Sequence, residues 1–99
     1  MANGAAFLKY WGGHMPHFTS PKFWAAYRAL PPDIRMAARR CYRLLKKDPR
    51  HPSLHLKQIG RLWSARVGIA HRALGVEAEN GILWFWIGNH AEYNRHLRR

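Results

Sequence analysis

Five side chains in the second half of the chain could handle a phosphodiester: Lys57, Arg66, Arg72, His90 and Tyr93. Three are cations, which can hold a phosphate and stabilise charge growing on its oxygens. One is an imidazole, whose ordinary titration range lies nearest neutrality, so it can move a proton to or from a ribose hydroxyl or a leaving oxygen. The fifth is a phenol. In the run Leu62 to Val67, Ser64 and Arg66 share a face because side chains alternate along a strand. Lys57 lies on the run before and Arg72 on the run after, while His90 and Tyr93 follow the last apolar run directly. The expectation is that the imidazole folds back over a pocket of guanidinium and ammonium groups and cuts RNA there without a metal.

Other chemistries find no support. His51 and His55 are four apart, a ligand spacing on a helix, but Pro52 stands between them and no carboxylate completes a site. Five acids yield no catalytic carboxylate pair, and there is neither a Gly-rich phosphate loop nor a Ser-His-Asp set. No metal and no cofactor is expected. The single cysteine, Cys41, allows no internal disulfide and fits a reducing cytoplasm, the expected location. No apolar run approaches the ~20 residues of a membrane span. Ala5 to Trp11 is too short and too aromatic for a signal-peptide core.

Charge points to the partner. Seventeen Lys and Arg face five Asp and Glu in 99 residues, a formal net charge of +12, and twelve of the cations are Arg. A guanidinium binds phosphate in a fork and stacks on bases, which favours nucleic acid over an anionic membrane or an acidic protein. Arg61, Trp63, His55, Arg39 and Arg43 are the further candidates for touching RNA. Trp63 is the candidate base-stacking surface, whereas Trp84 and Trp86 read as core.

The elements that must position these groups fill one domain, residues 15–99, behind a leader of residues 1–14 that is expected to be flexible, with a short strand over Ala5 to Tyr10 as the alternative. Met15 directly precedes the first well-patterned segment and is a candidate start. Ser20-Pro21 is a helix start, an N-cap hydroxyl before a Pro at the first helical position. Phe23, Trp24, Tyr27 and Leu30 recur at helical spacing until Pro31-Pro32. Asp33 can cap a second helix, in which Ile34, Ala37, Ala38, Cys41, Leu44 and Leu45 form an apolar stripe opposite Arg35, Arg39, Arg43, Lys46 and Lys47, and Asp48-Pro49 ends it. Two helices joined by prolines read as a hairpin. Four short runs follow, Leu54 to Lys57, Leu62 to Val67, His71 to Val76 and Ile82 to Ile87, with Glu79-Asn80-Gly81 as a turn; they read as an antiparallel meander. The last is apolar on both faces and belongs inside the sheet. His90 to Arg99 is a short helix or tail. The fold class is therefore α+β: an N-terminal helical hairpin on one face of a twisted antiparallel sheet of about four strands, with Lys and Arg on the other face.

The segments DPRHPSLHLK (Asp48 to Lys57), LWSARVG (Leu62 to Gly68), HRALGV (His71 to Val76) and WFWIGNHAEY (Trp84 to Tyr93) resemble, in order and spacing, the RelE/ParE superfamily of toxins from type II toxin–antitoxin pairs. FWAAYRALPPDIRMAARRCYRLL before them looks like the family's helical hairpin. The resemblance implies a microbial-RNase-like fold, a cognate antitoxin, and metal-independent cleavage of mRNA on the ribosome, which inhibits translation. By position it assigns Lys57, Arg66 and Arg72 to the basic strand residues, His90 to the histidine after the last strand, as in the YoeB and YafQ branches, and Tyr93 to a C-terminal aromatic. Where the YoeB branch carries a glutamate base, this sequence reads Leu54; His90 then inherits proton transfer, with Lys57 and His55 as further candidates. Two alternatives share the fold: a ParE-like poison of DNA gyrase and a catalytically inactive binding protein.

Overall fold

The computed structural model describes residues 16–79 and 81–97. The leader, the proposed start at Met15 and the turn residue Asn80 lie outside them.

The chain enters with a short strand, β1 (His17–Thr19), followed by helices α1 (Pro21–Arg28) and α2 (Pro32–Lys47). Ser20 caps α1, its Oγ accepting from the Phe23 N–H at 3.2 Å, and Pro21 opens the helix. The cap of α2 is Pro31 rather than Asp33, which sits one turn in and suits the dipole from there. A 3-10 turn (Pro52–Leu54) leads into β2 (Lys57–Ile59), β3 (Leu62–Val67), β4 (His71–Ala78), β5 (Gly81–Asn89) and α3 (His90–Leu97).

The sheet has five strands rather than about four, in the order β1-β5-β4-β3-β2. Strands β2 to β5 pair antiparallel, while β1 runs parallel to β5, Phe18 opposite Leu83. Three residues are too few to show a two-residue period, and their partner lies more than 60 residues ahead. With β1 on its outer edge, β5 is an interior strand, and its apolar character follows from burial on both faces. The run that begins at Leu54 is also corrected. His51 Nδ1 accepts from the Ser53 N–H at 3.2 Å and holds a turn, His55 takes a left-handed φ of 45°, and the strand starts only at Lys57.

Alternation sorts the sheet. Trp63, Ala65, Val67, Ala73, Ile82, Trp84 and Ile87 join Tyr27, Leu30 and Leu45 of the helical layer in one core, with Phe23, Ala37, Ala38 and Cys41 packed against it. Ser64, Arg66, Arg72, Leu74 and Trp86 take the opposite face, where α3 docks through the buried Tyr93.

His17 ties β1 to this core. Its Nδ1 accepts from the Trp84 indole N–H at 3.1 Å, and its ring meets the edge of Tyr42. Burial, with Lys46 nearby, lowers its pKa from 6.5 to about 4. The unfolded chain therefore takes up a proton near pH 6.5, and the folded chain only near pH 4. The stability that the neutral ring contributes is complete above pH 6.5 and is lost as pH falls toward 4. The slope is expected to stay below the full ~1.4 kcal/mol per pH unit, because the ring is only partly shielded from solvent. Urea denaturation at pH 7, 5.5 and 4.5 measures it, and a His17→Gln variant with the same pH dependence as the parent would assign the loss to other groups.

Candidate functional site

The turn Gly68-Ile69-Ala70 folds β4 back on β3, so Arg66 and Arg72 are direct cross-strand partners on the face opposite the core. Like charges opposite one another repel, so each guanidinium needs other partners. Arg72 Nη1 donates to Ser64 Oγ at 3.0 Å, a hydroxyl that is itself fully buried. The Arg72 cation also lies 5.4 Å from the centroid of the Tyr93 ring. Arg66 Nε donates to the Gly68 carbonyl at 3.0 Å, and its Nη1 lies 3.3 Å from His55 Nε2.

α3 brings in the last two groups. Asn89 and Glu92 form a reciprocal N-terminal box: Asn89 Oδ1 accepts from the Glu92 N–H at 2.9 Å, and Glu92 Oε1 accepts from the Asn89 N–H at 3.3 Å. The His90 N–H donates to the Ala70 carbonyl at 2.9 Å, pinning the helix start to the β3–β4 turn. His90 is exposed, and its ring stacks on Tyr93 with centroids 5.5 Å apart and planes 14° from parallel. Tyr93 is buried, and its hydroxyl has no hydrogen-bond partner among the described residues. The Tyr93 ring thus meets both the His90 imidazole and the Arg72 guanidinium. Tyr93 can fix the other two groups in place, but it has no free face on which to stack a base.

Lys57 is exposed on the same face, opposite Ser64 rather than Arg66. The place beside Arg66 belongs to His55, because the left-handed turn at that residue swings it alongside β3. A cavity of about 370 Å³ lies on the helix side of the sheet, and none of Lys57, Arg66, Arg72, His90 and Tyr93 lines it. Lys57 and His90 are exposed, Arg66 and Arg72 half-buried and Tyr93 buried, on the basic face across the sheet from that cavity.

The further RNA candidates separate. His55 joins the site. Arg61 is exposed in the β2–β3 turn, at the other end of β3 from Arg66. Arg39 and Arg43 are exposed on α2, on the helix side, and Arg39 Nε donates to the Tyr27 hydroxyl at 2.8 Å. Trp63 is a correction: it is 1% exposed, since alternation puts it with Ala65 and Val67 in the core, and it offers no stacking surface.

Sequence reasoning missed Glu92. A methyl on Gly88, the residue opposite Arg72, would strike the Trp86 ring and meet Glu92 Oε1 at 2.8 Å, so the carboxylate stands beside the basic face. The Asn-x-x-Glu spacing was the available signal. Leu54, at the position where the resemblance would look for a carboxylate, is buried in the core. Among the described residues no group of three His, Cys, Asp or Glu could hold a metal ion. No described helix is long and apolar enough to cross a membrane.

No protein-family model matches the sequence, and no curated protein is similar to it in sequence. Solved structures do match. A chain of a RelB–RelE antitoxin–toxin complex from Methanococcus jannaschii superposes with a TM-score of 0.64 at 13% identity, over 80% of this chain and 96% of that one. A chain of the RelE–RelB complex from Pyrococcus horikoshii gives 0.59 at 14% identity, over 77% and 94%. The isolated Escherichia coli RelE toxin gives 0.56 at 11% identity, over 84% and 95%. The described residues have the RelE fold.

Proposed function

We propose that this chain is the toxin of a toxin–antitoxin pair and acts as an endoribonuclease that cuts mRNA on the ribosome. The observation that carries the reading is the basic face on which Arg66 and Arg72 stand opposite one another, with His90 held against Arg72 through Tyr93. Arginines at directly paired positions on one face can both turn to a single phosphate, which two forks then hold. Lys57 adds a positive charge, and His90 moves a proton.

The reaction is a transesterification. The ribose 2'-oxygen attacks the adjacent phosphorus, its proton passing to a base, and the bond to the 5'-oxygen breaks as that oxygen receives a proton from an acid. The products are a 2',3'-cyclic phosphate and a 5'-hydroxyl. His90 serves one of the two transfers, and the other is assigned to His55, a reading supported by its lying 3.3 Å from Arg66. Tyr93 positions Arg72 and His90 and does not touch the reacting atoms. The ribosome supplies a wall that excludes water and orients the message.

Expression in bacteria tests the reading. Translation arrest is expected, with message fragments that carry 5'-hydroxyl ends. Filamentation with DNA damage and intact messages would favour a gyrase poison. Absence of toxicity from well-expressed, folded protein would favour an inactive relative.

A further inference from the structure

Attack by a ribose hydroxyl makes a demand that cations and an imidazole do not meet. The 2'-oxygen, the phosphorus and the 5'-oxygen must come into line, and a stacked strand does not hold them so. The two bases at the scissile step have to part, which costs stacking energy unless a protein surface takes the place of the lost contact. The aromatic rings of the basic face are poorly placed for that. Tyr93 is buried, and Trp86 is half-buried with its ring centroid 4.6 Å from that of His96. Five large apolar side chains are exposed among the described residues: Phe18, Trp24, Met36, Tyr42 and Ile69. Phe18 belongs to β1 at the edge of the sheet, and the next three belong to α1 and α2 on its other side. Ile69 is the member of this set that stands beside Arg66 and His90.

Hydrogen bonds on either side fix its place. Arg66 Nε donates at 3.0 Å to the carbonyl of Gly68, the residue before it. The His90 N–H donates at 2.9 Å to the carbonyl of Ala70, the residue after it. Val67 and His71 pair beneath the turn, and Gly68 takes the left-handed φ of 62° that the reversal needs. Ile69 is thus the tip of a turn braced by one phosphate-binding cation and by the start of the helix that carries the imidazole. It is 92% exposed, so the core gains almost nothing from its being apolar. A β-branched side chain is also stiff about its first torsion, so ordering it against a base costs little.

We propose that Ile69 is an apolar wedge that enters the base step at the scissile phosphate and holds the two bases apart during attack. The inference rests on the nuclease reading and adds to it how the site treats the bases. Arg66 and Arg72 hold the phosphate, while Ile69 sets the sugar and base geometry on which in-line attack depends.

Single-turnover cleavage on programmed ribosomes tests the proposal, with circular dichroism melting to show that each variant is folded. Ile69→Ser is expected to cut an ordinary message about 10-fold more slowly than the parent, a small part of the cost of parting one base step. Ile69→Leu, which keeps an apolar wedge, is expected to stay near the parent rate. A message with an abasic ribose on the 3' side of the scissile phosphate has no stack to part, so parent and Ile69→Ser are expected to cut it equally fast. A message with 2-aminopurine at that position, and a 2'-deoxyribose in place of the attacking sugar to block cleavage, reports the unstacking directly. Its fluorescence is expected to rise with the parent and to rise less with Ile69→Ser. Equal rates for parent and Ile69→Ser on the ordinary message overturn the wedge and leave the nuclease reading in place. A deficit of Ile69→Ser that persists on the abasic message shows that the side chain acts other than by parting bases, and also overturns it. Intact messages with the folded parent remove the nuclease reading, and the wedge with it.

Discussion

Alanine at position 90 is expected to slow message cleavage by about 10²- to 10⁴-fold, the range that a positioned proton carrier supplies, and to leave the fold intact. The two effects separate because of where His90 sits. Its ring is exposed and stacks on Tyr93, so truncation removes little burial. Its backbone N–H keeps the bond to Ala70, and the Asn89–Glu92 box still starts the helix. The stability change should stay within about 0.5 kcal/mol. Single-turnover cleavage on programmed ribosomes gives the rate, and circular dichroism melting gives the stability. His90→Gln keeps a flat polar group over Tyr93 but cannot carry a proton, so it should be as slow as the alanine variant. Parent rates in both variants would remove His90 from the chemistry and leave His55 as the imidazole nearest a guanidinium.

The sequence made some of this architecture readable and hid the rest for physical reasons. The Ser20-Pro21 start and the Pro31-Pro32 break act within a few residues, so the starts of α1 and α2 are legible to within one position, while α1 ends at Arg28, two residues before Leu30. Alternation in Leu62 to Val67 put Ser64 and Arg66 on one face, and the structure keeps them there. Alternation applied to Trp63 would likewise have put it in the core; the charge of its neighbour Arg61 argued otherwise, and burial won. β1 was illegible because its three residues acquire meaning only from β5. The left-handed His55 was illegible because non-glycine residues rarely adopt that conformation, and it is the feature that exchanges Lys57 for His55 beside Arg66.

Arg72 carries the second large expectation: Arg72→Lys, which keeps the charge, should still lose about 10²- to 10³-fold in kcat/KM, the cost typical of removing one preorganised donor to a developing oxyanion. The argument lies in how the guanidinium is held. Ser64 Oγ takes one N–H and the Tyr93 ring supports the plane, so the remaining N–H groups are aimed. A lysine ammonium is a point charge on a flexible stem and cannot reproduce the fork. Arg66 directly opposite sharpens the point. Two cations at paired positions disfavour the free fold, and an anion that draws both in relieves the repulsion. Inorganic phosphate should therefore raise the melting temperature of the parent and raise it less in Arg72→Lys. A role confined to supporting Ser64 and Tyr93 would move stability but not the phosphate response. If Arg72→Lys keeps both the parent rate and the parent phosphate response, simple positive charge suffices at this position, and the paired-guanidinium account of the site fails.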